Sequence, residues 1–308
     1  MTHAEEQDIF RADHPDTLAD IAVIGSAFDL ARPEVQTLPL VFDSPHSGAI
    51  YPPRLLAMSK LDAGVIRRSE DSFVDQLFAG VVARGAPLLS ARFPRAYLDA
   101  NREPFELDPG MFSEALPAYA NSKSPRVVSG LGTIARVVAD GSEIYREKLE
   151  VMDALTRIER LYKPYHRQLT ALLQATQAKF GFAILVNCHS MPSLGTVSDA
   201  QVPNRPDFVL GDRHGTACAP LVIATAERFL TERGYHVARN TPYAGAYAAE
   251  HYGRPAHAVH ALQIEVNRSL YMDEARFEPT SGLDIIAADM AALASVLGLI
   301  DLGRLAAE

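Results

Sequence analysis

The 308-residue sequence is poor in cysteine: Cys188 and Cys218 are its only two, and they lack the paired spacing of a disulfide framework or a cysteine zinc site. It lacks any basic run, and with 29 Lys and Arg against 38 Asp and Glu its net charge is -9. That balance argues against nucleic acid or an anionic membrane as a partner. No apolar stretch approaches the length of a membrane span, and Met1-Thr2-His3-Ala4-Glu5-Glu6-Gln7-Asp8 has no basic region followed by an apolar one, so a cytoplasmic protein is expected. Serine-hydrolase and nucleotide chemistry also lack their signatures: there is no Gly-x-Ser-x-Gly elbow and no Gly-x-x-x-x-Gly-Lys loop. Gly130-Leu131-Gly132-Thr133-Ile134-Ala135 has the loose spacing of a dinucleotide fingerprint, but the stretch from Arg136 to Gly141 that follows, with β-branched Val137 and Val138, is too short for the required helix. No internal repeat or low-complexity segment is present, and no pattern specifies an oligomeric state.

What is present reads as one α/β domain over 1–308, with the first twenty residues a loosely packed arm. Short apolar runs at 38–42, 87–92, 181–190, 207–212, 235–238 and 258–268 predict strands. Helical spacing at 71–83, 142–179, 217–230 and 283–299 predicts helices, the second broken or kinked at Pro164. This alternation predicts a three-layer α/β/α architecture around a mixed, mostly parallel sheet. In such sheets ligands bind beyond the carboxyl ends of the strands.

Several chemical groups fall at those ends. The run Gly181 to Ser190 ends in Asn187-Cys188-His189, and the run at 38–42 ends in Asp43-Ser44-Pro45-His46. Glu70 and Asp71 stand at the start of the 71–83 helix pattern, where Asp71 also suits a helix cap. Two imidazoles and one carboxylate, either Asp71 or Glu70, match a hydrolytic zinc site with a position left for water; the alternative is two structural histidines. Glu265 lies inside an apolar strand, where a carboxylate is costly unless it is ligated, protonated or paired, for example with Arg268. Beside a metal-activated water it suits a general base. Arg95, Asn101 and Arg102 form a local basic patch able to hold a substrate carboxylate. Asn240 to Pro255, rich in Gly, Pro and Tyr, reads as a loop able to close over a site.

Asp43-Ser44-Pro45-His46-Ser47-Gly48, Glu70-Asp71 with Val74-Asp75, Tyr97-Leu98-Asp99-Ala100-Asn101-Arg102-Glu103-Pro104, Asn187-Cys188-His189-Ser190, Pro242-Tyr243-Ala244-Gly245-Ala246-Tyr247 and Leu262-Gln263-Ile264-Glu265-Val266-Asn267-Arg268 together resemble the N-formylglutamate amidohydrolase family. The resemblance implies a zinc-carboxypeptidase-like (phosphorylase/hydrolase-like) fold and Zn2+ or another divalent metal. It implies hydrolysis of N-formyl-L-glutamate to L-glutamate and formate, as in histidine degradation, with a small anionic N-acyl amino acid as the substrate class. Carried over position by position, it suggests His46, Asp71 and His189 as ligands, Glu265 as the base, and Asn101 with Arg102 as the carboxylate clamp; Arg95, Tyr247 and Arg268 are counted with them as substrate-binding. Two departures stand out: Glu70-Asp71-Ser72 replaces the Thr-Asp-Trp of members acting in histidine degradation, and Gly245-Ala246 replaces a glycine pair. They leave open a related N-acyl amino acid hydrolase or carboxypeptidase-like enzyme, with a catalytically silent anion-binding protein as the third reading.

Overall fold

The computed structural model describes residues 13–193 and 205–301, and the chain clusters into two compact units. The larger contains Phe28–Gly48, Glu70–Ala91 and the chain from Arg167 onward. Its seven-stranded sheet comprises β1 (Phe28–Ala31), β2 (Leu40–Ser44), β3 (Leu88–Ala91), β4 (Ala183–Met191), β5 (Phe208–Gly211), β6 (Val237–Arg239) and β7 (Val259–Asn267). The order is β1-β3-β2-β4-β7-β5-β6. β3, β2, β4 and β7 run parallel, β1 is antiparallel at one edge, and β5 with its parallel neighbour β6 runs against β7 at the other. This is the mixed α/β sheet that the alternation of elements predicts.

The central strands are buried on both faces: every residue of β2 and β4 is buried, and all of β7 after Val259. That is why their apolar parts, such as 40–42 and 183–186, read as continuous runs rather than as alternating ones. The two faces nevertheless differ. Phe42, Ile184, Val186, Cys188, Leu262 and Ile264 point into a hydrophobic core shared with the helices Val74–Phe78, Pro220–Glu232 and Gly282–Leu297. Because side chains alternate along a strand, Asp43, Asn187, His189, Gln263 and Glu265 leave the opposite face. Parallel register sets Asp43, Asn187 and Gln263 side by side in one row and His189 beside Glu265 in the next.

The smaller unit contains residues up to Ala27, Ala49–Ser69 and Arg92–His166. Its helices include Pro15–Ile24 and Val151–Arg157, and among its buried apolar side chains lies a buried ion pair. The fully buried Arg157 donates to both oxygens of Asp153 at 2.8 and 2.9 Å and lies 3.9 Å over the Tyr97 ring. Burial opposes the Asp153 charge, but the Arg157 guanidinium overcomes it and holds the carboxyl down at about 2. Of the expected amino-terminal arm, residues 1–12 lie outside the described residues; residues 15–20 are helical, with Thr17 and Asp20 buried.

Two predicted helices come out shorter. Residues 142–150 are not helical, because Ser59↔Tyr145 and Phe112↔Leu149 bridges take up their backbone; tertiary pairing overrides local periodicity there. The helix proper runs Val151–Arg157, widens into a π turn over Ile158–Tyr162, and resumes as Lys163–Phe180 with Pro164 in its first turn. His166, which the pattern puts on the surface, is half-buried, with Nε2 2.9 Å from Ala100 O and its ring on Tyr162. The 71–83 helix starts only at Val74, after Phe73 in a left-handed conformation (φ 66°), so Asp71 is not its cap. Among the described residues no helix is long and apolar enough to cross a membrane.

Candidate metal centre and active site

The larger unit gathers three of the predicted groups. His46 lies two residues beyond the end of β2, His189 near the end of β4, and Asp71 in the turn before the Val74–Phe78 helix. The Asp71 N–H donates to His46 O at 3.0 Å, which fixes that turn against the end of β2. One donor atom from each of His46, Asp71 and His189 lies within 4.8 Å of the others, and all three residues are buried. Asp71 Oδ2 is 3.0 Å from His189 Nδ1 and 3.4 Å from His46 Nδ1, and the imidazole centroids are 4.8 Å apart. Glu70 is directed elsewhere: its Oε1 accepts from Ser72 Oγ at 2.6 Å.

The donor set suits a cation. Asn187 Nδ2 donates to Asp43 Oδ1 at 2.9 Å, which turns the amide oxygen toward His189 Nε2 at 2.7 Å. A neutral imidazole has one N–H, and with that proton on Nε2 its Nδ1 presents a lone pair to the Asp71 carboxylate. A cation placed among Nδ1, the carboxylate oxygen and His46 Nδ1 satisfies all three donors at once. The Nε2–H to Asn187 contact is also the outer hydrogen bond that orients a ligating histidine.

Arg268 closes the other side of Asp71. Its Nη2 donates to Asp71 Oδ1 at 3.2 Å and to Glu70 O at 2.6 Å, and its Nε to Ser190 Oγ at 3.0 Å. Ser190 Oγ in turn donates to Asp71 Oδ1 at 3.2 Å. Burial alone would push the Asp71 carboxyl up; when a proton rather than a cation lies between Oδ2 and the imidazoles, hydrogen bonds and charge from His189 and His46 outweigh burial and hold the carboxyl well below the usual carboxylate range. The carboxylate is therefore pinned through Oδ1, with Oδ2 turned to the histidines.

Glu265 is buried beside His189 in the β4–β7 register, and its Oε1 accepts from Gln263 Nε2 at 2.7 Å. Gln263 Oε1 accepts the Ala246 N–H at 2.8 Å. The expected loop over 240–255 contains a helix, Tyr247–Tyr252, that buries Ala248, Ala249 and Tyr252; Tyr247 is half-buried, with its ring stacked on His251 at 4.9 Å.

Arg95, Asn101 and Arg102 belong to the smaller unit, where Asp99 organises them. Arg95 Nε donates to Asp99 Oδ2 at 2.9 Å, the Asn101 N–H to Asp99 Oδ1 at 2.8 Å, and Arg102 Nη2 is 3.7 Å from Asp99 Oδ2. Arg102 also donates to Leu131 O and Asn101 O, each at 2.8 Å. Burial, then the neighbouring Arg95 and Arg126, push the Arg102 guanidinium down to about 10 despite the attraction of Asp99. Sequence reasoning missed Asn187, Asp43 and Gln263 as supports; the available signal was a polar side chain two residues before His189 and before Glu265 in otherwise apolar strands.

Residues 38–272 match the family model described as N-formylglutamate amidohydrolase. The chain is 28% identical over 246 residues to an N-formylglutamate deformylase from Pseudomonas aeruginosa, covering 77% of this chain and 83% of that one. A Pseudomonas putida protein of the same name is 26% identical over the same length. The crystal structure of an N-formylglutamate amidohydrolase from Ralstonia eutropha superposes with a TM-score of 0.81 at 39% identity, covering 88% of this chain and 96% of that one. A gene product from Agrobacterium tumefaciens shares the fold, with a TM-score of 0.63 at 17% identity over 92% of this chain and 98% of its own.

Proposed function

Because this chain belongs to the N-formylglutamate amidohydrolase family and is an amidohydrolase acting on an amide C–N bond, we propose that its substrate is N-formyl-L-glutamate, cleaved to glutamate and formate in a zinc-dependent reaction. The observation that carries this reading is the buried convergence of donor atoms from His46, Asp71 and His189. Those three residues would hold the metal ion. A divalent ion at such a site supplies Lewis acidity, polarising a carbonyl and making water acidic enough to attack near neutral pH.

The protein's own groups account for the rest. Glu265 takes a proton from the water that attacks the formyl carbon and returns it to the amide nitrogen as the C–N bond breaks, releasing formate and the free amine. Its place beside His189 in the β4–β7 register supports this role, since it sets the carboxylate next to a residue that would hold the metal. Arg268 and Ser190 keep the Asp71 carboxylate turned toward the histidines. Arg102 and Asn101, with Arg95 and Tyr247, are assigned to the two carboxylates of the substrate; a planar guanidinium fork suits that anion. The family match runs through segments of both compact units, so we treat the chain as one amidohydrolase domain.

The test is hydrolysis of N-formyl-L-glutamate by the purified protein, by the same protein stripped with a chelator, and after zinc is restored. Activity should vanish on stripping and return with about one zinc per chain. Full activity without any bound divalent metal would remove the metal from the reaction. Cleavage of N-acetyl or N-succinyl amino acids in preference to the formyl compound would move the substrate within the same reaction class.

A further inference from the structure

We infer that Gln263 is a positioning residue for the Glu265 carboxylate and ties it to the 241–247 segment that carries Tyr247, an inference that rests on Glu265 as the proton-handling group proposed above. The two side chains stand two residues apart on β7 and leave the same face. The amide of Gln263 has one satisfactory orientation. Its Oε1 accepts the backbone N–H of Ala246 at 2.8 Å, which turns Nε2 onto Glu265 Oε1 at 2.7 Å. A flipped amide would set two donors against each other and an oxygen against a carboxylate. Both residues are buried, so water competes weakly for these contacts, and a hydrogen bond to an ionised carboxylate is among the stronger ones.

Gly211 is the second observation. It faces Gln263 across the antiparallel β5–β7 pairing, and a Cβ on it would lie 2.7 Å from Ala244 C and Gly245 N. The 241–247 segment therefore crosses β5 at backbone contact, and the Arg213 N–H holds it there by donating to Ala244 O at 2.7 Å. That close approach is what brings Ala246 within reach of Gln263. One amide thus joins the segment and the carboxylate: it fixes Oε1 of Glu265 and makes the orientation of that group depend on where the segment sits.

Donor and anchor can be separated by substitution. In the zinc-loaded full-length enzyme, Gln263→Met removes both contacts and should lower kcat for N-formyl-L-glutamate about tenfold, with KM changed less than about twofold, as for loss of a hydrogen bond to a charged group. Gln263→Glu still accepts from Ala246 but turns a like charge on Glu265, so it should fall further, by about a hundredfold. A residue that only anchored the segment would leave Gln263→Glu near wild type. In a Glu265→Gln background, Gln263→Glu should cost less than about twofold more, because the group it acts through is gone. Melting temperature and bound zinc are read alongside. Wild-type turnover by Gln263→Glu, or losses that multiply in the double variant, would overturn the assignment; should Gln263→Glu not fold, a folded, zinc-loaded Gln263→Met with wild-type kcat does so. Full turnover by Glu265→Gln alone would instead sink the role given to Glu265, and this inference with it.

Discussion

Along β4 and β7 the same strands present two chemistries, Ile184, Val186, Leu262 and Ile264 entering the hydrophobic core on one face while Asn187, His189, Gln263 and Glu265 hydrogen-bond on the other. Both faces are buried, so the difference is one of partners rather than of exposure. The apolar face can be satisfied by any well-packed set of side chains of the right volume. The polar face cannot, because each buried donor and acceptor needs a particular counterpart. The two strands also meet that need in the same way: Asn187 holds His189 and Gln263 holds Glu265, each an amide two residues ahead of the group it orients. If the comparison is right, changes on the polar face should act on chemistry and metal, and changes on the apolar face on stability.

The largest effect expected is from His189→Ala. Loss of one of three donors should abolish stoichiometric zinc and reduce kcat/KM at least about a thousandfold, since Lewis-acid assistance amounts to several kcal/mol. Metal analysis of the purified variant checks this, and a full zinc complement would show that His189 is not a ligand. Next comes Glu265→Gln, with kcat down about a hundredfold or more and zinc retained. Steady-state kinetics beside a metal assay separates the two variants: one loses the ion, the other only the turnover. If Glu265→Gln also lost its metal, the carboxylate would belong to the ion's shell rather than to proton transfer.

The division between faces was only half legible in the sequence. Apolar runs identified β4 and β7 as buried strands, and the alternation Asn187-Cys188-His189 and Gln263-Ile264-Glu265 puts each polar pair on one face of its own strand, yet nothing in either run said that His189 and Glu265 look the same way. That follows from the register of the parallel pair, which is a tertiary fact. The choice between Glu70 and Asp71 was invisible for a similar reason, since it turns on a left-handed Phe73 and on the contact of the Asp71 N–H with His46 O. The 142–150 stretch carried a helical period but was captured by bridges to distant segments. Arg95 and Arg102 were visible as cations, whereas their engagement with Asp99 and the backbone was not.

A smaller effect than either of those two is expected from Asn187→Leu. The variant keeps the branched shape of the side chain but removes the oxygen that His189 Nε2 contacts, and outer contacts of this kind typically contribute tenfold to a hundredfold to metal affinity. Zinc competition against a chelator should show a dissociation constant raised by about that range, with kcat of the fully loaded enzyme changed much less. Unchanged affinity would mean that Asp71 and the fold alone orient the ring.

The smallest effect, and the sharpest check on the separation of faces, is expected from Ile264→Val. Ile264 lies between Gln263 and Glu265 in the chain and points into the core, so the substitution removes one methylene directly beneath the polar row without touching a polar contact. Such a change typically costs about 0.5 to 1.5 kcal/mol of stability. Denaturant titration should report that loss while kcat for N-formyl-L-glutamate stays within about twofold, because β7 is held by hydrogen-bonded neighbours on both sides and its backbone has little room to follow one missing methylene. A fall in kcat of about tenfold with little change in stability would mean that core packing is transmitted to the Glu265 carboxylate. The two faces of β7 would then be a single mechanical unit, and the orientation of that carboxylate would depend on the hydrophobic core as much as on Gln263.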